Sequence, residues 1–448
     1  MKNPGLMKLA GLELAALALT AGQVTAAEAA SAGKPNIILI FSDDVGLGDI
    51  GCCGGPFKTP NIDALAQSGT RFELCYSTPL CGPSRCEALT GRYPFRTGLN
   101  SNHSKEAIDP SREVMIPTVM KSAGYVTACA GKWGQMSFGP GEWGFDEHII
   151  FNKGDERYWC TPDAVYTVNG KPVKFPKGTY FPDVVYDAVT SFMTRHKDQP
   201  FFIYYPMPHI HGPIQRTPDS APGADQTRLY ADNVEYMDKL VGKLIAELDR
   251  LKLREKTVVI FTGDNGTARF GVEAATVNGK SISGNKGTLL EGGSRVPLIV
   301  NRPGITPAGK VNRDLIDFSD FFPTFAELGG AALPAGVTID GHSFAAQIRG
   351  AKGTPRDWVY VELSGKSYVR NAGFKLTNHG ELFDMKNAPF QEIPVPSGTT
   401  NAAAIAARAY LQPILDQHPA ASVSGDKKKH KSPAKKAAKK AAKEEPDL

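Results

Sequence analysis

The sequence predicts an α/β protein, with a mostly parallel central sheet flanked by helices and a smaller C-terminal β-rich subdomain. Three observations lead there. Short apolar runs of strand length alternate with segments of helical periodicity. Four of those runs are followed at once by clusters of charged, amide or imidazole side chains. Past Pro355 the alternation gives way to short β-like segments ending in Glu381-Leu382-Phe383-Asp384.

The apolar runs at 36–41, 126–130, 201–205, 258–262 and 297–300 read as buried strands, being rich in Ile, Val and Phe and too short for helices. Between them, helical patterns occupy 61–68, 84–90, 117–123, 183–195 and about 225–251. In the last, Met237, Leu240, Val241, Leu244 and Leu248 recur at helical spacing and mark a core-facing stripe. Beyond 355, segments at 358–363, 367–369 and 374–377 read as the strands of the small subdomain. In sheets of this class ligands collect beyond the carboxyl ends of the strands. That rule selects Asp43-Asp44 after the first run, Lys132 after the second, His209 and His211 after the third, and Asp264-Asn265 after the fourth.

Four regions follow along the chain of 448 residues. Residues 1–30 read as a signal peptide: Lys2 and Lys8, a Leu- and Ala-rich stretch interrupted by Glu13, then small residues around Ala26 and Ala30. The main α/β domain is placed at 35–354 and the small subdomain at 355–415. Residues 426–448 form a Lys- and Ala-rich tail too poor in apolar residues to pack, read as disordered. That tail carries nine lysines against four acids, the whole of the +5 formal charge, and leaves 42 basic and 42 acidic residues before it. A neutral body argues against nucleic acid as a partner. After the leader no apolar run approaches a membrane span, so a periplasmic or secreted location is expected. An oxidising compartment permits disulfides among Cys52, Cys53, Cys75, Cys86, Cys129 and Cys160, with no pairing assignable.

Chemistry concentrates in a few motifs. In Cys81-Gly82-Pro83-Ser84-Arg85, Pro83 suits the first turn of a helix, placing Cys81 just ahead of an N-terminus that favours anions, with Arg85 one turn in. Asp43, Asp44, Asp264 and Asn265 make a hard-oxygen set suited to Ca²⁺ more than to Zn²⁺. Histidine is the side chain best matched to protonating a departing alkoxide near neutral pH. The His209-x-His211 pair beside aspartates also admits a Zn²⁺ reading.

Taken with Leu89-Thr90-Gly91-Arg92, the Cys81 pentapeptide resembles the active-site signature of the sulfatases, C-x-P-S-R followed by T-G-R. Gly131-Lys132-Trp133 is similar to that family's G-K-W segment, and Gly284-Asn285-Lys286-Gly287-Thr288 with Glu291-Gly292-Gly293-Ser294-Arg295-Val296-Pro297 is similar to its second lysine segment. The resemblance spans roughly 35–384. It implies a sulfuric ester hydrolase in which a maturation enzyme oxidises Cys81 to formylglycine. Asp43, Asp44, Cys81, Asp264 and Asn265 then hold Ca²⁺, Lys132 and Lys286 contact the sulfate, and Arg85 helps hold residue 81. The family's catalytic histidine stands as H-x-P, which His211 satisfies; His209 is then a substrate-contacting or orienting residue. Gly134 stands where the family commonly has histidine, so one expected substrate contact is missing. The resemblance implies a small-molecule or glycan sulfate ester as substrate, a sulfated carbohydrate or an aryl sulfate. Two other readings stay open: a phosphonate monoester or phosphodiester hydrolase of the wider alkaline phosphatase superfamily, and a silent binder of sulfated glycans whose Cys81 is never matured. The aromatics Trp133, Phe138, Trp143, Tyr158 and Trp159 are candidates either for a stacking platform or for core.

Overall fold

A computed structural model describes residues 33–104, 108–134, 136–151 and 157–420. The signal peptide expected at 1–30 and the tail at 426–448 lie outside the described residues. The main sheet contains β1 (Asn36–Ser42), β2 (Thr70–Tyr76), β3 (Val126–Gly131), β4 (Glu147–Phe151), β5 (Tyr166–Val168), β6 (Lys171–Val173), β7 (Phe201–Tyr205), β8 (Thr257–Gly263), β9 (Arg295–Asn301) and β10 (Lys310–Asp317). Their order across the sheet is β10-β2-β9-β8-β1-β7-β3-β4-β5-β6. The centre, β8-β1-β7-β3-β4, is parallel throughout. Antiparallel pairings enter toward the flanks, at β8-β9, β9-β2, β4-β5 and β5-β6.

Strands β1, β7 and β8 are buried along their whole length, which is why they read as unbroken apolar runs. Successive side chains still alternate: Ile38 and Ile40 enter one core cluster, Ile37, Leu39 and Phe41 the other. The first cluster lies under α1 (Pro60–Gln67), the helix Phe181–Arg195 and the helix Gln226–Arg250. Met237, Leu240, Val241, Leu244 and Leu248 are all buried there, as their spacing predicts. Asp225 starts that helix by accepting from Arg228 N at 2.8 Å. The second cluster lies under the helices Cys81–Thr90, Ile116–Ser122 and Phe321–Gly329.

The small sheet is an antiparallel meander of β11 (Val359–Leu363), β12 (Lys366–Arg370), β13 (Phe374–Thr377), β14 (Leu382–Asp384) and β15 (Ile393–Val395). The helix Ala402–Gln417, capped by Asn401, packs Ala404, Leu411 and Leu415 against Tyr360, Val369 and Leu376. A buried polar network joins this sheet to the loop carrying Lys286. Arg370 Nη1 meets Glu291 Oε1 at 2.5 Å and also donates to the Tyr76 hydroxyl. Glu392 Oε1 accepts from Glu291 N at 3.1 Å, Lys375 Nζ donates to Leu289 O at 3.1 Å, and Ser283 N donates to Pro389 O at 2.9 Å. Both ends of the 283–291 loop are therefore tied to the small subdomain. Arg370→Ala leaves the buried Glu291 carboxylate with Arg295 Nη1, 3.3 Å away, as its remaining cation, and urea denaturation is expected to show a loss of about 3 kcal/mol. A loss below about 1 kcal/mol would mean that Arg295 and the Tyr76 hydroxyl suffice to hold the Glu291 carboxylate.

Candidate active site

The four polar clusters meet because β8, β1, β7 and β3 are adjacent and parallel, so their carboxyl ends share one edge. Asp264 N donates to Ser42 O at 2.9 Å and Asp44 N donates to Asp264 Oδ1 at 2.9 Å, stitching the ends of β1 and β8 together. Gly263 makes this possible: a Cβ there would lie 1.9 Å from Val45 O. Asp44 itself adopts φ 64°, a left-handed conformation that aspartate tolerates better than most residues. Asp43, Asp44, Asp264 and Asn265 are all buried.

The helix Cys81–Thr90 is buried on every side, and Cys81 is its first residue rather than the one before it. Arg85, one turn on, is fully buried. Its Nε and Nη2 donate to Asp264 Oδ2 at 3.0 and 2.7 Å, its Nη1 to the Tyr204 hydroxyl at 3.1 Å, and Nη2 lies 3.6 Å from Asp43 Oδ1. Arg85 thus ties Asp43 and Asp264 to the helix that carries Cys81. Lys132 Nζ donates to both Asp43 oxygens, at 2.7 and 2.6 Å, and Lys286 Nζ approaches Asp44 Oδ1 at 2.5 Å. One residue at this site escapes sequence reasoning: Asn102 accepts from Gly82 N at 3.0 Å through Oδ1 and offers Nδ2 to Cys81 Sγ at 3.5 Å. It lies in a polar loop with no motif around it.

The donor set suits a hard cation. Ligand atoms of Asp43, Cys81 and Asp264 lie within 4.8 Å of one another, as do those of Asp43, Asp44 and His211. Asn265 donates through Nδ2 to Asp44 Oδ1 and Gly266 O, both at 2.9 Å, while its buried Oδ1 has no hydrogen-bond partner. A buried amide oxygen without a donor is costly unless a cation meets it. Burial raises the Asp264 pKa to about 6, with Arg85 opposing and Asp43 and Asp44 adding to the rise. Burial works the same way on Asp43, but Lys132, His211, Arg85 and Lys286 outweigh it and hold that carboxyl well below the usual range.

The two histidines part company. His211 Nδ1 lies 2.6 Å from Gly212 O; a carbonyl only accepts, so Nδ1 carries a proton and Nε2 faces Asp44 Oδ2, 3.9 Å away. His209 is fully buried, with Nε2 3.0 Å from the Tyr180 hydroxyl, and its carbonyl accepts from Asp43 N and Ser42 Oγ, each at 2.7 Å. The ring has no exposed surface and is turned onto Tyr180, the place of an orienting rather than a substrate-contacting residue, while the carbonyl braces the Asp43 loop. For the same reason the pair does not converge on one zinc ion. Burial pushes the His209 pKa down to about 3. The unfolded chain, with an ordinary histidine near 6.5, therefore binds more protons than the native one between about pH 6.5 and 3. Stability from this group is complete above 6.5 and lost as pH falls through that window, on the order of 5 kcal/mol in all. Urea denaturation across that range is expected to show His209→Asn with a shallower acid limb than the wild type; parallel limbs would contradict the assignment.

Gly134 has φ 83°, in the region glycine favours, and a Cβ there would stand 3.7 Å from Arg85 Cδ and 3.8 Å from Lys132 Cε. The space beside Lys132 is thus left without a side chain from this position. Trp133, Trp143 and Tyr158 are core residues, and of the aromatics considered for stacking Phe138 is the exposed one. None of the seven cysteines is joined in a disulfide in this structure.

The family model "Sulfatase" matches residues 35–331. N-acetylgalactosamine-6-sulfatase of Canis lupus familiaris is 34% identical over 359 residues, covering 73% of this chain and 68% of the relative. Arylsulfatase A of Homo sapiens is 33% identical over 394 residues, covering 78% and 76%. Among solved structures, Ps i-CgsB superposes with a TM-score of 0.72 at 27% identity, covering 86% of this chain and 92% of that one. Among the described residues no helix is long and apolar enough to cross a membrane. With the signature helix, the acidic strand ends and the two lysines gathered at one edge of the sheet, the chain belongs to the sulfatase family and is a sulfatase enzyme.

Proposed function

We propose that the protein hydrolyses sulfate monoesters of carbohydrates, using formylglycine formed from Cys81 and a Ca²⁺ ion held by Asp43, Asp44, Asp264, Asn265 and residue 81. The observation that carries this reading is the convergence of Cys81, Asp43 and Asp264 beside the partnerless Asn265 Oδ1. Oxidation of the thiol supplies a hydrated aldehyde, whose second hydroxyl lets the covalent sulfate ester break down; the bound cation supplies charge for the sulfuryl oxygens. The chain's own residues do the rest. Arg85 fixes Asp264 and Asp43 against the helix that presents residue 81. Asn102, bonded to Gly82 N, orients the group at residue 81. Lys132 and Lys286 bring two ammonium groups to the position of the ester oxygens. His211, its Nδ1–H anchored on Gly212 O, moves the proton to the leaving oxygen through Nε2.

Glycan substrates are favoured by the relatives, one named N-acetylgalactosamine-6-sulfatase and one solved as Ps i-CgsB in complex with k-i-k-neocarrahexaose, 28% identical with a TM-score of 0.72. The leader at 1–30 fits export to the periplasm or beyond, and a formylglycine-generating enzyme is the implied maturation partner. Comparing kcat/KM for aryl sulfate, aryl phosphate, phosphodiester and phosphonate esters tests the reaction class. Sulfate is expected to lead by more than tenfold. A tenfold preference for a phosphorus ester, about 1.4 kcal/mol in barrier, would move the assignment to the phosphonate and phosphodiester hydrolases.

A further inference from the structure

Beside His211 lies a buried cation that the reaction as described does not use. Arg157 is 7% exposed, donates Nη1 to Gly212 O, and leaves its buried Nε without a partner. Among the described residues it makes no ion pair. The carbonyl it holds is the one that also accepts from His211 Nδ1, so one oxygen links the guanidinium to the imidazole. The neighbouring residues fix it there: the Tyr158 hydroxyl donates to Pro208 O and His211 O at 3.1 and 3.0 Å, and Trp159 Nε1 donates to Arg216 O at 2.7 Å. Desolvating a guanidinium without a carboxylate is unfavourable, and an anion that arrives with the ligand offsets it.

A second, independent feature flanks the same glycine. Phe270 is 55% exposed, although it follows closely on the buried Asp264-Asn265 turn. A Cβ on Gly212 would lie 2.7 Å from its ring, so the ring rests directly on the His211 loop, with Tyr230 edge-on behind it at 5.9 Å. An exposed aromatic face held against a catalytic loop is a stacking surface for the apolar face of a ring.

We propose that Arg157 and Phe270 form a subsite on the leaving-group side of His211 for a ring bearing a second oxyanion, a carboxylate or a sulfate-like group. The proposal rests on His211 acting at the leaving oxygen and adds what the departing alcohol carries. Its test uses three aryl sulfates with meta substituents: carboxylate, non-hydrolysable sulfonate and neutral carboxamide. The kcat/KM of each anionic substrate is divided by that of the carboxamide, in wild type and in Arg157→Gln. Leaving-group acidity is the same for both enzymes, so dividing one ratio by the other isolates the side chain. The wild-type ratio is expected to exceed the variant's by at least tenfold for one of the two anions, and which one it is names the oxyanion. Phe270→Ala is expected to raise KM for all three substrates and leave the ratios alone. Equal ratios in wild type and Arg157→Gln would overturn the subsite and reduce Arg157 to a prop for the Gly212 carbonyl. Should the Gln variant fail to fold, Arg157→Lys keeps the charge without the fork, and an expected drop in the ratio of at least threefold decides in its place; an unchanged ratio counts against the proposal. Absence of turnover with every sulfate ester would instead strike the sulfatase mechanism itself.

Discussion

Cys81→Ala is expected to abolish turnover, by about 10⁴-fold or more, while the fold survives. Residue 81 is the first residue of a fully buried helix, and its side chain is enclosed among Asn102, Asp43 and Asp264. Alanine suits a helix start and removes a single heavy atom, so the expected cost in stability is about 1 kcal/mol. The activity loss has a different origin: the other hydroxyl in the first turn of this helix, Ser84, turns its Oγ back onto Cys81 O at 3.1 Å and so does not replace residue 81. Two measurements check it together. Peptide mass spectrometry of active protein is expected to find the aldehyde at residue 81, and a melting curve of the alanine variant is expected to overlay that of the wild type within a few degrees. Fully active protein with an intact thiol would sink the formylglycine mechanism. An intact thiol, no turnover and retained affinity for sulfated glycans would favour the silent binder.

Removing the divalent cation is the second change with a large expected effect. Three buried carboxylates and a partnerless amide oxygen face one another here, and Lys132, Lys286 and Arg85 are also needed for work beyond neutralising them. Chelation should therefore stop turnover and lower the melting temperature, and Ca²⁺ at about a hundred times its dissociation constant should restore about 2.7 kcal/mol. The sign with pH follows from Asp264, whose pKa is raised to about 6. Below that value the carboxyl is protonated and the cation must displace the proton, so Ca²⁺ affinity is expected to be about tenfold weaker at pH 5 than at pH 7. Calorimetric titration at the two pH values measures it. Affinity that is flat or rises toward pH 5 would contradict the ligand set, and stoichiometric zinc in protein as isolated would favour a phosphatase-like site.

The strands with the clearest sequence signal, β1, β3, β7 and β8, are the ones at the parallel centre, where burial on both faces demands continuous apolar runs. β10 reads Lys-Val-Asn-Arg-Asp-Leu-Ile-Asp and carries little apolar strand signal, because an edge strand keeps charged residues facing solvent. The helix Ala402–Gln417 has a weak sequence signal because it is rich in alanine with only a sparse apolar stripe, and Pro413 stands inside it. Residues on recognisable motifs were legible: Asp43, Asp44, Cys81, Arg85, Lys132, His211, Asp264, Asn265 and Lys286 all come to one strand edge. Asn102, Arg157 and Arg370 are not, because nothing in their local sequence distinguishes them from loop, surface or strand polar residues.

Local sequence alone determined the alternation of strands and helices, the polar cluster after each central strand, and the Cys81 signature with its arginine one helical turn away. These depend on backbone period and near neighbours, which a linear reading contains. Tertiary structure decided which clusters meet, which lysine leans on which aspartate, that His211 stays partly exposed beside Asp44 while His209 is buried against Tyr180, and that the small sheet holds the Lys286 loop. Those outcomes depend on the strand order β8-β1-β7-β3 and on how side chains far apart in the chain fill one interior, and the free energy of packing that sets them is shared by residues that no local window contains.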